Sequence, residues 1–334
     1  AKEVKLFGLG ARLLQRYRHA LALGSFLFGL ASFLLVQRRE RAAQILVIVL
    51  PVTWLLMLAE NSLGEWTRTR LRLKLPPALL RYAVQSAHQE TFFFTLPFFF
   101  YTTTWRSGQA VFTSLLAVAA LVTVIDPLYY RHVAARRNLY LAFHALSVFV
   151  ATLTAAPMLW QLTTTQSLQI AAVAAALLTT PTLAGIIGAQ RPTQWLMLLS
   201  LTIALGFGAW LARPWIPPAT LWMTRGVITR DVDTQARNPG SALDNITVED
   251  TRAGLCAWTA IRAPRGLQEV IRHVWVQDGT ALDSIPLNLS GGREEGYRAW
   301  SCKRNMPADP RGDWQVRVLT DGGQLIGVLR FAVR

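Results

Sequence analysis

The 334-residue sequence predicts a membrane bundle of about seven helical spans followed by an all-β antiparallel sandwich. Three observations carry this. Apolar residues make up 52% of the chain and charged residues only 16%, a balance typical of membrane proteins. Up to residue 212 the chain is a succession of long apolar runs; beyond 222 it alternates in short stretches broken by turn residues. Between the two, Trp195–Ala212 is long enough to cross a bilayer and is stopped by Arg213-Pro214-Trp215-Ile216-Pro217-Pro218, because proline lacks the amide a helix needs. Trp210, Trp215 and Trp222 crowd this exit, as indole rings do at headgroup level. The segments are thus a basic stretch 1–18, a helical domain 19–212, a proline-stiffened linker 213–222 and a sheet domain 223–334.

The expected spans are Ala20–Val36, Ala42–Ala59, Leu79–Thr104, Gln109–Ile125, Leu139–Trp160, Leu168–Ile187 and Trp195–Ala212. Residues 3–18 place Leu6, Leu9, Leu13 and Tyr17 near one helical face among basic side chains, which suits a helix lying on anionic lipid or a charged anchor for the first span. No cleavable signal follows Val36; the next residues are Gln37-Arg38-Arg39-Glu40-Arg41. Pro76-Pro77 opens the third span, and Pro97 interrupts its phenylalanine-rich second half, where packing against neighbouring helices compensates the lost bond.

The formal charge of +15 is unevenly spread. Residues 1–221 hold 19 Lys and Arg against 6 Asp and Glu, whereas residues 222–334 hold 15 against 13. Excess positive charge beside apolar helices sets topology and offers no nucleic-acid face, so nucleic acid is not an expected partner; lipids are. With the N-terminus in the cytoplasm, 14 basic residues, among them Arg68, Arg70, Arg131, Arg136 and Arg191, fall inside. Four, Arg38, Arg39, Arg41 and Arg106, fall outside. The turn at 38–41 runs against the rule, which makes the hairpin 20–59 the weakest element of the scheme. An odd number of spans exports the C-terminal domain, which in a bacterial inner membrane means a periplasmic location.

Polar groups in or beside the spans are the place to seek a membrane site: Glu60, Asn61, His88, Glu90, Asp126 and His144. Together they suit a proton- or ion-linked pocket on the cytoplasmic side; singly they suit helix ends meeting headgroups. His144 stands out because apolar residues flank it on both sides.

In the exported half the expected strands are Met223–Asp231, Ile246–Thr251, Leu255–Ala263, Glu269–Gln277, Ser284–Leu289, Tyr297–Arg304, Trp314–Thr320 and Gln324–Val333, with a tight turn at Asp321-Gly322-Gly323. Cys256 and Cys302 predict one disulfide in an oxidising compartment, the other possibility being two buried thiols. No C-x-x-C or histidine cluster accompanies them, so no metal site or cofactor is expected. Cys256 shares a strand face with Trp258, and Cys302 with Trp300; the order Cys256, Trp275, Cys302 makes the sandwich immunoglobulin-like by architectural analogy.

The runs H-V-W-V-Q-D-G at 273–279, R-A-W-S-C-K at 298–303 and G-D-W-Q-V-R-V at 312–318 resemble an uncharacterised bacterial domain family with H-x-W, W-S-x-K and G-x-W-x-V strands. The resemblance covers roughly 222–334. The helical half is similar to the proteobacterial multi-span region often joined to that domain. It marks His273, Trp275, Trp300, Ser301, Lys303, Gly312 and Trp314 as motif positions and implies no activity.

Ser301 with His273 and Asp278 or Asp313 invites a hydrolase, but no G-x-S-x-G elbow surrounds the serine and a mid-strand serine is poorly presented for attack. No catalytic residue is assigned. A ligand surface built from Arg272, His273, Trp275, Tyr297, Trp300 and Lys303 suits sugars and phosphates; core packing is the competing assignment for the histidine and tryptophans. The expected function is therefore a non-enzymatic membrane protein whose sandwich binds or scaffolds another membrane protein or a second copy. The alternative is a transporter or transferase acting through the polar cluster of the helices.

Overall fold

The computed structural model describes residues 77–334, apart from Ala189 and Asp244. The segment 1–18, the first two expected spans, and Glu60 and Asn61 lie outside the described residues. Within them, a helical region is followed by an all-β antiparallel region.

Five helices lie where the apolar runs predict them: α1 (Pro77–Thr102), α2 (Gln109–Val124), α3 (Arg137–Trp160), α4 (Thr164–Ile187) and α5 (Pro192–Leu211). Proline at the first position suits α1 and α5, since that amide has no helical partner in any case. Thr91, Thr95 and Thr102 turn their hydroxyls back onto the carbonyls of Ala87, Thr91 and Phe98, which satisfies polar groups inside the phenylalanine-rich helix. α2 stops at Val124, and the chain restarts at Asp126-Pro127, passing into a π-helical turn, Tyr129–Val133. The two arms of this break are bent by 101°.

Of the seven expected spans, five fall among the described residues, and not all of these pass as spans. Among the described residues two helices are long and apolar enough to cross a membrane, Arg137–Trp160 and Pro192–Leu211, or three if the bent pair counts as one. The run Gln85–Glu90 dilutes the apolar character of α1, and α2 has only 16 residues.

The β region contains β1 (Trp222–Thr229), β2 (Val232–Asp233), β3 (Asn238–Pro239), a short helix α6 (Val248–Arg252), β4 (Leu255–Arg262), β5 (Gln268–Gln277), β6 (Thr280–Ser290), β7 (Tyr297–Lys303), β8 (Gly312–Thr320) and β9 (Leu325–Val333). They form a three-stranded sheet β1-β4-β7, a four-stranded sheet β6-β5-β8-β9 and the β2–β3 ribbon, all antiparallel. The expected strand 246–251 is instead α6: Thr247 and Asp250 make a reciprocal capping box, and that local bonding overrides the β-branched residues. Asp278 and Gly279, both with positive φ (47° and 85°), turn β5 tightly into β6, as a primed hairpin turn requires.

The core draws on both sheets. Ile261 and Ala299 from the first meet Ile271, Leu289 and Val318 from the second, and Leu255 and Ala257 meet Trp275, Trp314 and Leu329. Trp314 lies flat on Phe331, with ring centroids 5.9 Å apart, and its indole N–H donates to the Pro310 carbonyl.

The chain falls into two compact units. One comprises the described residues to Pro97 with Ser114–Ala155 and Ala171–Gly208; the other comprises Phe98–Thr113, Ala156–Ile170 and Ala209–Arg334. The second therefore joins the β region to the α1–α2 and α3–α4 turns. Inside it, Gln109 donates to the Leu325 carbonyl (2.8 Å), Gln324 to the Ile216 carbonyl (3.1 Å), and the Thr164 amide to the Glu269 carboxylate (2.7 Å). Gly266 and Gly322 stand against the side chains of Gln161 and Thr165 so closely that a β-carbon would meet them at 2.7 Å and 2.5 Å.

Candidate functional site

Strand alternation decides which motif residues are reachable. On β7 the odd positions Ala299, Ser301 and Lys303 are buried, whereas Arg298 and Trp300 are half-buried and Cys302 is exposed. On β5 the odd positions Glu269, Ile271, His273 and Trp275 face the core. His273 and Trp275 are thus buried between the sheets and are not part of an exposed ligand surface.

They belong to a closed polar network. His273 bonds to Ser301 through Nδ1 (3.0 Å) and to Thr259 through Nε2 (3.1 Å), and the Trp275 indole donates to Ser301 Oγ (3.1 Å). Thr259 in turn donates to the Ala299 carbonyl. Burial pushes the imidazole down to about 4, so His273 is neutral at physiological pH. Ser301 is itself buried and already accepts the indole proton. The arrangement staples β4 and β7 to β5; it does not present a nucleophile.

Two further expected binding residues are engaged in ion pairs. Lys303, buried, pairs with Asp283 of β6. Arg272 makes a two-pronged contact with Asp321 at 3.1 and 2.7 Å. The six are therefore dispersed: His273 and Trp275 meet at Ser301 in the core, Arg272 and Lys303 are held in separate ion pairs, and Tyr297 and Trp300 come together outside that network.

What unites those two is Arg237, which sits in a polar stretch with no periodic signal. Arg237 lies between β2 and β3 with φ 55°, a left-handed conformation uncommon outside glycine. Its guanidinium carbon is 4.7 Å from the Tyr297 ring centroid and 5.4 Å from that of Trp300. Its Nη2 donates to the Tyr297 hydroxyl (3.0 Å) and the Arg298 carbonyl (2.9 Å), while its own carbonyl accepts from the Trp258 indole (3.0 Å). Arg225 stacks over Trp258 and Arg262 over Trp222, extending the pattern along the outward face of the three-stranded sheet. The available signal was the excess of arginine over lysine among aromatics, which marks stacking more than solvation.

The disulfide underlies this face. Cys256 and Cys302 are bonded, and they stand directly opposite each other on β4 and β7, as do Trp258 and Trp300 two residues along. The bridge therefore lies within one sheet, on the face away from Trp275. It does not span the two sheets as the immunoglobulin analogy expects.

In the helical unit the structure brings some of the expected polar residues together. His88 is fully buried, its Nδ1 within 2.9 Å of the Tyr129 hydroxyl, and its ring centroid lies 6.1 Å from that of His144. Gln85 links α1 to the break, donating to Asp126 (2.8 Å) and the Thr123 carbonyl (2.9 Å). Phe92, Tyr140 and Phe143 complete the ring cluster around His88. No hydrogen bond joins His144 to Glu90 or Asp126, and among the described residues no group of three or more His, Cys, Asp or Glu is placed to hold a metal.

No curated protein and no solved structure matches the chain. A protein of unknown function (DUF2914) is matched by residues 268–333, which begin at β5 and take in the four-stranded sheet and β7. A family of unknown function (DUF5924) is matched by residues 4–257, from the helices through the linker and into β4, and it is to this family that the chain belongs.

Proposed function

We propose that this is a non-enzymatic, multi-pass protein of a bacterial inner membrane, N-terminus inside, whose β region lies on the periplasmic side and binds or scaffolds a membrane-protein partner or a second copy. The observation that carries the reading is the seating of the β region on the α1–α2 and α3–α4 turns through Gln109, Thr164 and Glu269, with Gln324 bonded to the Ile216 carbonyl of the linker. A domain held by buried hydrogen bonds at helix ends has little freedom, so its partners are those within reach of the membrane surface. Exposed apolar side chains along α2 and α5, such as Val111, Leu115, Leu196 and Phe207, suit contact with lipid. Val270 and Leu282 leave apolar positions open on the four-stranded sheet.

The test is a photo-reactive residue introduced at Val270 or Leu282 and activated in native membranes. A discrete adduct, of twice the chain mass or of one partner, is expected. Absence of any adduct from either position, with full insertion and an intact disulfide, contradicts the reading.

The break at Ile125, with its 101° bend beside the His88–His144 pair, favours a second reading in which the helices conduct or transfer a polar substrate. On this reading His88→Phe and His144→Phe abolish a phenotype that substitutions at Val270 and Leu282 leave intact.

A further inference from the structure

We propose that Arg237, Arg293 and Tyr297 form a binding site for a phosphate-type oxyanion. Two guanidinium groups converge on one phenol ring, with carbon-to-centroid distances of 4.7 Å for Arg237 and 5.8 Å for Arg293. Among the described residues neither is in an ion pair. The acidic groups that pair with cations in the β region are committed elsewhere: Asp250 to Arg230, Asp283 to Lys303, Asp321 to Arg272 and Glu295 to Arg298. Glu295, two residues from both Arg293 and Tyr297 in sequence, is thus already occupied, at 3.1 Å from Arg298.

The cost of this arrangement falls on Arg237. The residue is half-buried and its Nε is shut off from solvent with no hydrogen-bond partner among the described residues. A partly desolvated cation without a counter-charge is unfavourable, and a second guanidinium beside the same ring adds to that. An anion bound at the ring offsets both terms.

The chemistry of the cradle selects an oxyanion. The Tyr297 hydroxyl accepts from Arg237 Nη2, which leaves its own proton to donate outward. A planar guanidinium fork matches phosphate oxygens in two-pronged fashion, and the aromatic faces beneath hold the fork in place. The left-handed backbone at Arg237 and the Trp258 indole bond to its carbonyl fix where the side chain starts.

Its place in the fold points to the headgroup of an anionic phospholipid as the source. Tyr297 pairs with Ile261, one residue before the end of β4; from there Pro264–Gly266 leads to the contact with Gln161 at the α3–α4 turn. Trp222, at the start of β1, pairs with Arg262 at that same end and follows the linker from α5. This assignment of the source rests on the proposed placement of the β region at the membrane surface; the oxyanion site itself does not.

The experiment uses the full chain in mild detergent and follows tryptophan fluorescence, since Trp300 and Trp258 adjoin the site. Phosphatidylglycerol, phosphatidylcholine and inorganic phosphate are titrated separately into wild type, Arg237→Gln and Arg293→Gln. A saturable change with phosphatidylglycerol and none with phosphatidylcholine is expected, weakened about tenfold or more in either variant, as the loss of one charge-assisted contact implies. Arg293→Gln is the decisive variant, because that side chain is exposed and, among the described residues, lies over the ring without an ion pair, so its replacement should spare the fold. If inorganic phosphate saturates the same signal and lipid adds nothing, the oxyanion site stands with a soluble source. If no anion changes the signal, or Arg293→Gln and Arg237→Gln bind as wild type does, the proposal is overturned. Cross-linking from Val270 or Leu282 is read independently, so loss of the anion site and loss of the scaffold reading are told apart.

Discussion

His273 shows how a motif residue can be prominent in sequence and silent in chemistry. Its two ring nitrogens are spent on Ser301 and Thr259, and burial holds it neutral, down to about 4 against an unperturbed value near 6.5. Because the folded value lies below the unfolded one, its stabilising effect is complete above about pH 6.5 and is lost as pH falls toward 4. We expect roughly 3 kcal/mol of acid destabilisation from this group alone, and a flatter pH profile of the melting temperature in His273→Gln. A slope unchanged between the two proteins would show that another group carries it. Trp314, fully buried and stacked on Phe331, should cost about 3–5 kcal/mol when replaced by alanine, read from denaturant midpoints. Alternation along β7 already separated Ser301 from Trp300 and Cys302 in the sequence. What alternation could not show was which side faced inward, and so the H-x-W and W-S-x-K positions split between a core network and an outward face. Arg237 was invisible for a different reason: its partners Tyr297 and Trp300 lie about 60 residues away, joined only by tertiary folding.

At the scale of elements, long apolar runs and strands with strong alternation were legible to within a few residues, and short polar pieces were not. The span 246–251 reads as strand by its isoleucine, threonine and valine, yet Thr247 and Asp250 close a capping box and make a helix of five residues. The Thr247 amide and hydroxyl, with the Arg230 guanidinium, hold the Asp250 carboxyl down to about 2, and Asp250→Ala should lower the melting temperature by removing the capping box. The ribbon β2–β3, only two residues a side, gave no period to detect. The disulfide and its strand faces beside Trp258 and Trp300 were legible, but not that it fastens two adjacent strands of one sheet, where an immunoglobulin-like bridge would join two sheets. Closing a loop across 46 residues contributes about 3–4 kcal/mol in the loop-entropy account. Alkylation of the unreduced, denatured protein should label neither cysteine, and reduction should lower the denaturation midpoint accordingly.

For the molecule as a whole, composition made the division into helical and β regions legible, while the number of long apolar helices and the seating of the β region were not. Seating depends on Gln109, Thr164, Glu269 and Gln324, polar residues at helix and strand ends that carry no periodic signal. Burial raises the Glu269 carboxyl above its ordinary range, with the Thr164 amide opposing the shift. A raised folded value means that its contribution is fully present at low pH and declines as pH rises through that value. Glu269→Gln should therefore melt higher than wild type at pH 8 and close to it at pH 4, whereas Glu269→Leu leaves the Thr164 amide unpaired and should lose about 1–3 kcal/mol. The central claim, that helices cross a membrane and hold the β region on its outer side, is tested most directly by impermeant maleimide labelling of intact cells. Gln235→Cys, in the exposed turn between β2 and β3, and Arg136→Cys, before α3, are compared before and after lysis. The account predicts that position 235 labels in intact cells while position 136 labels only after lysis; labelling of 136 but not 235 in intact cells would contradict it.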